Sequence, residues 1–204
     1  QPAGRLGTCL PRRTVVHYLR EAAADTGLNH IMVDLETMGT GPNSAIIAIG
    51  AVRFDAYSEI SDACDSGILD RFYEVVSLES STSAGLDIDP STVMWWLRQS
   101  EKAREQFGRN VIPLEKALRL FADWVGKDPV MWGNGAAFDN VILANAYVKT
   151  SLLQPWAFWA DRCYRTVKSL YPQVEMERVG THHCAVDDAE SQARHLMRIF
   201  ASKE

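Results

Sequence analysis

Apolar and polar positions along the chain follow two periods, one suited to strands and one to helices. Residues 30–36 begin as an apolar run, Ile31-Met32-Val33, and end in Asp34-Leu35-Glu36, which predicts a largely buried strand. A turn cluster of Gly, Thr, Pro and Asn follows at 39–43. Residues 45–54 read as a second, mostly apolar strand, 55–66 as a polar loop, and 69–76 as a third strand. Strands in immediate succession favour antiparallel pairing. Helical signals then take over. The run at 77–83 reads as a Ser-rich loop, and Pro90-Ser91 opens a helix to about residue 100. Pro113 precedes Leu114, Leu118, Phe121 and Val125 at helical spacing, with Gly126 as the stop. Further expectations are a strand at 129–132, a helix at 139–148, a fifth strand at 158–161, a short helix at 166–170 and a closing helix at 185–201. The sum is an α/β chain with a mixed five-stranded sheet flanked by helices.

Residues 1–29 stand apart as an N-terminal appendage, and 30–204 form the domain. The first 13 positions are rich in Pro, Gly and Arg, and Thr14 is placed to cap a short helix at 15–24. The Arg-rich, initially acid-free start has transit-peptide composition as a minor alternative. The sequence has 204 residues, enough for one domain with a sizeable core. A formal net charge of -5 argues against coating nucleic acid by bulk charge, while leaving room for a local grip and an acidic metal site. Cys9, Cys64, Cys163 and Cys184 are scattered without a Cys-x-x-Cys pair, which suggests reduced thiols in a cytoplasmic setting. No apolar run has the length of a membrane span.

Three stretches carry chemistry. Alternate residues of a strand share a face, so Asp34 and Glu36 project together while Leu35 turns away. Two carboxylates on a buried face repel and are costly to desolvate, and Mg²⁺ or Mn²⁺ suits such hard oxygen ligands. Alone, the pair reads more readily as a solvated strand end. In the second stretch, Trp132 to Asn140, small residues make a tight turn and Asp139 starts a helix, where an N-cap is the plain alternative. The third is Thr181-His182-His183-Cys184-Ala185-Val186-Asp187-Asp188. On the closing helix Val186, Ala189, Ala193, Leu196, Met197 and Phe200 form the apolar stripe. Asp187 falls with Ser191, Arg194 and Arg198 on a face expected to be solvated. Asp188 falls beside Ala185, Gln192 and Ile199 and is the better buried ligand. Trp95 and Trp96 lie about 100° apart on a helix. Trp96 groups with Val93 and Leu97 as core, and Trp95 groups with Arg98, Gln99 and Lys102, where stacking a base and a subunit contact or partial burial are equally open readings. Arg162, Arg165 and Lys168 make a second basic group.

Asp34-x-Glu36, Asp139 after Asn134-Gly-Ala-Ala-Phe, and His183-x-Ala185-x-x-Asp188-Ala189 resemble the three motifs of the DEDDh 3′–5′ exonuclease family. The nearest likeness is to its RNase T-like and exodeoxyribonuclease VIII-like phage and bacterial branch, over about residues 30–200. Asn134 stands five residues before Asp139, where many relatives place it four before. The resemblance implies a ribonuclease H-like fold and removal of nucleoside 5′-monophosphates from a single-stranded DNA or RNA 3′ end. It implies two Mg²⁺ or Mn²⁺ ions, with Asp34 shared, Glu36 and Asp188 on one, Asp139 on the other, and His183 as general base. Thr37, Met38, Trp95 and Asn134 are the expected substrate contacts. A homodimer is compatible with the family. Two alternatives stay open: an inactive nucleic-acid-binding module on the same fold, and an exonuclease subunit of a polymerase or recombination complex.

Overall fold

The computed structural model describes residues 29–58 and 67–202. Five strands form one mixed sheet in the order β3-β2-β1-β4-β5. They are β1 Asn29–Thr37, β2 Ile46–Phe54, β3 Ile68–Val75, β4 Pro129–Gly133 and β5 Asp161–Cys163. β1 pairs antiparallel with β2, and β2 with β3, whereas β1 with β4 and β4 with β5 run parallel. The helices among the described residues are α1 Leu78–Ser83, α2 Pro90–Trp96, α3 Glu101–Glu105, α4 Leu114–Val125, α5 Asp139–Lys149, α6 Tyr164–Leu170 and α7 Ala185–Ala201. None is long and apolar enough to cross a membrane.

The central strand β1 sorts its residues by the two-residue period. Ile31, Val33 and Leu35 join one core cluster with Leu118 and Phe121 of α4 and with Ile142 and Tyr147 of α5. Met32 joins the cluster of the opposite face with Ala189, Ala193, Leu196 and Met197 of α7. Burying each such large side chain contributes about 1.5–3 kcal/mol. With both faces covered, β1 has its register firmly set: a slip of one residue would exchange the two faces. Asp34 and Glu36 continue the α7 face at the strand's C-terminal end.

Several expected boundaries moved, each for a local reason. The strand begins at Asn29, inside the expected appendage, and Arg53 reaches back to the Asn29 side chain. The expected helix at 15–24, and Cys9 and Cys64, lie outside the described residues. Cys163 and Cys184 are free thiols. The Ser-rich run is a helix, α1, rather than a loop. Ser77 Oγ accepts from the Ser80 N–H at 3.2 Å and caps it, and Ser81 Oγ donates to the Ile46 carbonyl at 2.7 Å. The expected long helix from Pro90 stops at Trp96. Ser100 Oγ accepts from the Ala103 N–H at 3.2 Å and starts the unforeseen α3. The fifth strand lies at Asp161–Cys163, because Phe158–Ala160 winds into a 3₁₀ turn. Leu97, expected in the core, is exposed. Ser191, expected on a solvated face, is fully buried, because residues 174–179 lie across α7. There Ser191 Oγ accepts from the Val179 N–H at 3.0 Å, and His195 Nε2 bonds the Val174 carbonyl at 2.7 Å.

Candidate active site

The C-terminal ends of the parallel strands β1 and β4 open into a cavity of about 520 Å³. Crevices at the carboxyl ends of parallel strands are where α/β sheets place ligands. β1 delivers Asp34 and Glu36, and the N-terminal turn of α7 delivers Asp188. Each of the three presents a carboxylate oxygen, and these oxygens lie within 4.8 Å of one another. That approach depends on Gly50, which faces Asp34 across the β1–β2 ladder. A Cβ on Gly50 would lie 2.2 Å from the Ala185 carbonyl carbon and the Val186 nitrogen. Only a glycine lets the start of α7 press against the sheet there. Gln192, one turn along α7, donates its side-chain amide to Asp34 Oδ1 at 2.7 Å.

Asp139, the first residue of α5, approaches from the other side of β1. It is buried, and its Oδ1 accepts from the Leu35 backbone N–H at 3.2 Å. Gly133 permits this packing, since a Cβ there would lie 3.1 Å from the Asp139 Cβ and 2.2 Å from Asn140 Oδ1. Asp139 does not line the cavity, but its charge acts on Asp34. Asn134 lines the cavity and turns its backbone N–H toward the Asp139 carboxylate. The Asn134 backbone thus serves Asp139 despite the altered spacing.

Asp34, Glu36 and Asp139 hold protons far more tightly than carboxylates in water. Burial, followed by the charges of Asp188 and Asp139, pushes Glu36 up to about 8. Burial pushes Asp139 up to about 7, against backbone hydrogen bonds from Leu35 and Asn134. Burial raises Asp34 well above its ordinary value, with Asp139 and Glu36 adding to the effect and the Gln192 hydrogen bond opposing it. Glu36 Oε1 and Asp139 Oδ2 are buried without a hydrogen-bond partner. Buried polar atoms are nearly always satisfied, so these two point to a ligand. Clustered hard oxygens with orphaned lone pairs fit a divalent cation such as Mg²⁺ or Mn²⁺.

His183 lies across the cavity from β1. Its backbone N–H donates to Asp188 Oδ2 at 3.0 Å. Its φ of 63° is in the left-handed region, uncommon for a residue with a side chain. Gln106 fixes this turn by donating its side-chain amide to the His183 carbonyl, while the Tyr73 hydroxyl donates to Gln106 Oε1 at 2.6 Å. Burial, then the neighbouring His182, holds the His183 imidazole below its ordinary proton affinity. His182 stacks on His183 with 3.8 Å between ring centroids and is exposed. Asp187 is turned away and accepts from the Thr181 N–H at 2.6 Å.

The expected substrate contacts divide. Thr37, Trp95 and Asn134 line the cavity, whereas Met38 packs against the core cluster of Leu35 and Ile46. Trp95 is 41% exposed and Trp96 is 5% exposed, its Nε1–H donating to the Thr37 carbonyl at 2.9 Å. Of the expected basic group, Lys168 lines the cavity, and Arg162 instead caps the Trp159 carbonyl. Sequence reasoning missed Gly50, Gln192, Gln106 and Arg178. Gln192 was the most accessible of these, because it lies one helical turn beyond Asp188 on the same face.

Comparisons with known proteins bear on the family and the fold. A family model described as a 3′-5′ exoribonuclease Rv2179c-like domain matches residues 29–200. The chain is similar to an exodeoxyribonuclease of Enterobacteria phage T4, 27% identical over 160 residues, spanning 66% of this chain and 68% of the phage protein. In fold it is similar to the nuclease domain of 3′hExo, a DEDDh family member bound to rAMP. The TM-score there is 0.55 at 17% identity, over 85% of this chain and 92% of that one. It is similar too to S. pombe Pop2p in its Mg²⁺- and Mn²⁺-bound form, with a TM-score of 0.54 at 12% identity, over 92% and 88% of the two chains.

Proposed function

The chain belongs to the Rv2179c-like 3′–5′ exoribonuclease domain family and is a 3′–5′ exonuclease of the DEDDh type, and from that premise we propose how its own residues do the work. The observation that carries the reading is the set of Asp34, Glu36 and Asp188 oxygens within 4.8 Å of one another, in an open cavity that His183 also lines. Asp34, Glu36, Asp139 and Asp188 would hold two divalent cations, Mg²⁺ or Mn²⁺. When bound, these supply neutralisation of phosphate charge and a water acidic enough to attack phosphorus.

The remaining steps belong to side chains. An imidazole nitrogen of His183 takes the proton of the attacking water. Burial keeps that imidazole neutral near pH 7, which a general base requires. Its strained backbone, clamped by Gln106 and Asp188, fixes the ring's place. Trp95 offers a half-exposed indole beside His183 for stacking a base near the strand end. Lys168 and Arg178 put positive charge on the cavity lining, Arg178 in contact with Asp188. The product is a nucleoside 5′-monophosphate, released from a single-stranded 3′ end.

The family description names RNA and the phage relative's name DNA, so matched single strands of both are the right substrates to compare. A time course with either end blocked tests the reading. A blocked 5′ end should leave the rate unchanged, a 3′ phosphate should inhibit, and 5′-monophosphates should accumulate from the first turnover. Inhibition by the 5′ block alone would overturn it.

A further inference from the structure

Both oxygens of Asp188 already accept a hydrogen bond. Its Oδ2 accepts from the His183 N–H at 3.0 Å, and its Oδ1 accepts from the Arg178 guanidinium at 2.7 Å. Arg178 sits on the segment between α6 and α7, its side chain is 47% exposed, and it lines the cavity. A cation held by Asp34, Glu36 and Asp188 and the Arg178 guanidinium would be drawn to the same carboxylate, where their like charges repel. The cavity's only fixed positive charges among the described residues are Lys168 and Arg178, while Asp34, Glu36 and Asp188 all line the same space. A phosphodiester entering it meets strong repulsion from those carboxylates and attraction from these two cations. A guanidinium binds a phosphate as readily as a carboxylate, because its planar fork matches both.

We propose that Arg178 is an exchangeable clamp: it holds Asp188 until a divalent cation takes that carboxylate, and then grips a phosphate of the substrate strand. This rests on the exonuclease reading above and adds a phosphate-binding residue to it. The exchange is between like interactions. One carboxylate–guanidinium pair is lost, one carboxylate–cation contact forms, and one guanidinium–phosphate pair forms. The half-exposed position of Arg178 keeps the pair weak enough to break, as partly solvated ion pairs are. It also leaves the head group free to swing, since the long side chain moves without the backbone.

The clamp predicts effects of opposite sign from one substitution. In Arg178→Gln, Asp188 is released, and Mn²⁺ measured by titration calorimetry without nucleic acid should bind roughly 2- to 5-fold more tightly. The same variant should bind a single-stranded oligonucleotide roughly 10- to 100-fold more weakly, measured with Ca²⁺ in place of the catalytic ion. Arg178→Lys keeps the charge but loses the fork, and should recover part of the oligonucleotide affinity. Thermal unfolding should change little in either variant. Weaker Mn²⁺ binding in Arg178→Gln would show that Arg178 only orients Asp188. Unchanged oligonucleotide affinity would show that it never reaches phosphate. Either result overturns the clamp while wild-type turnover from 3′ ends leaves the exonuclease reading intact. A wild-type chain that bound neither Mn²⁺ nor the oligonucleotide would overturn both.

Discussion

The indole of Trp95 stands edge-on to the imidazole of His183, with 5.0 Å between centroids and 83° between planes. Trp96, next in sequence, turns inward and packs edge-on against Phe107 at 4.9 Å. A single residue step of about 100° thus separates a surface role from a core role. Trp95→Ala should weaken binding of a short single strand by roughly 5- to 150-fold, the scale of one base–aromatic stack. Its stability should change little. Trp96→Ala should destabilise by about 3–5 kcal/mol, the range for emptying a buried aromatic site. Oligonucleotide affinity with Ca²⁺ and thermal unfolding, measured on both variants, check the pair. The opposite assignment of effects would place this helix in the wrong phase.

Gln106 reaches His183 across 77 residues of sequence. Gln106→Leu removes the donor to a carbonyl whose residue sits at φ 63°, so the imidazole should lose its fixed position. We expect kcat to fall roughly 10- to 100-fold, the cost of a small misplacement of a catalytic group, with KM changed less. Tyr73→Phe, which removes the hydroxyl's bonds to Gln106 and Cys184 but keeps the Gln106 donor, should fall between wild type and Gln106→Leu. A raised KM with unchanged kcat would show that this network serves binding and not the base.

His182 and His183 are adjacent and stacked, yet only the second donates its backbone N–H to Asp188. His183→Ala should cut kcat by roughly 10²–10⁴-fold, the usual scale for a lost general base. The imidazole is held below its ordinary 6.5 by burial and by His182, so the acidic limb of the pH–rate profile belongs below that value. The limb should vanish in His183→Ala and persist in His182→Ala. Equal losses in the two variants would contradict the assignment.

The carboxylate cluster makes stability depend on pH in a known direction. Glu36 titrates at about 8 when folded against an ordinary 4.5, and Asp139 at about 7 against 3.8. Between those limits the folded chain holds protons that the unfolded chain has released. Stability contributed by these groups is fully present below the ordinary values and is lost as pH rises through the folded ones. A divalent cation takes the place of the protons. Its increment to the unfolding temperature should therefore be small at pH 5 and larger at pH 8. An increment that shrank as pH rose would contradict this.

The sheet was legible because β1, β2 and α4 carry unbroken periodicity through Ile31 to Leu35, Ile46 to Phe54, and Leu114 to Val125. The serines of α1 misled because they favour loops and caps in general, and only the cap at Ser77 and the tether at Ser81 make them helical here. Ser191 misled because periodicity on one helix says nothing about another segment, here residues 174–179, lying over its outer face. In the site, carboxylates at a strand end and at two helix starts could be read from spacing. Gly50 and Arg178 could not, since the first acts only by letting α7 approach and the second through a partner ten residues away.

The central claim is that the carboxylates hold the ions that the reaction needs, with Asp34 common to both. Asp34→Ala tests it most directly, assayed on a single-stranded oligonucleotide across a titration of Mg²⁺ and of Mn²⁺, with wild type in chelator alongside. The account predicts no turnover in Asp34→Ala at any concentration of either ion, none for wild type in chelator, and an intact fold by thermal unfolding. Full turnover in Asp34→Ala, or in wild type with chelator present, would contradict it.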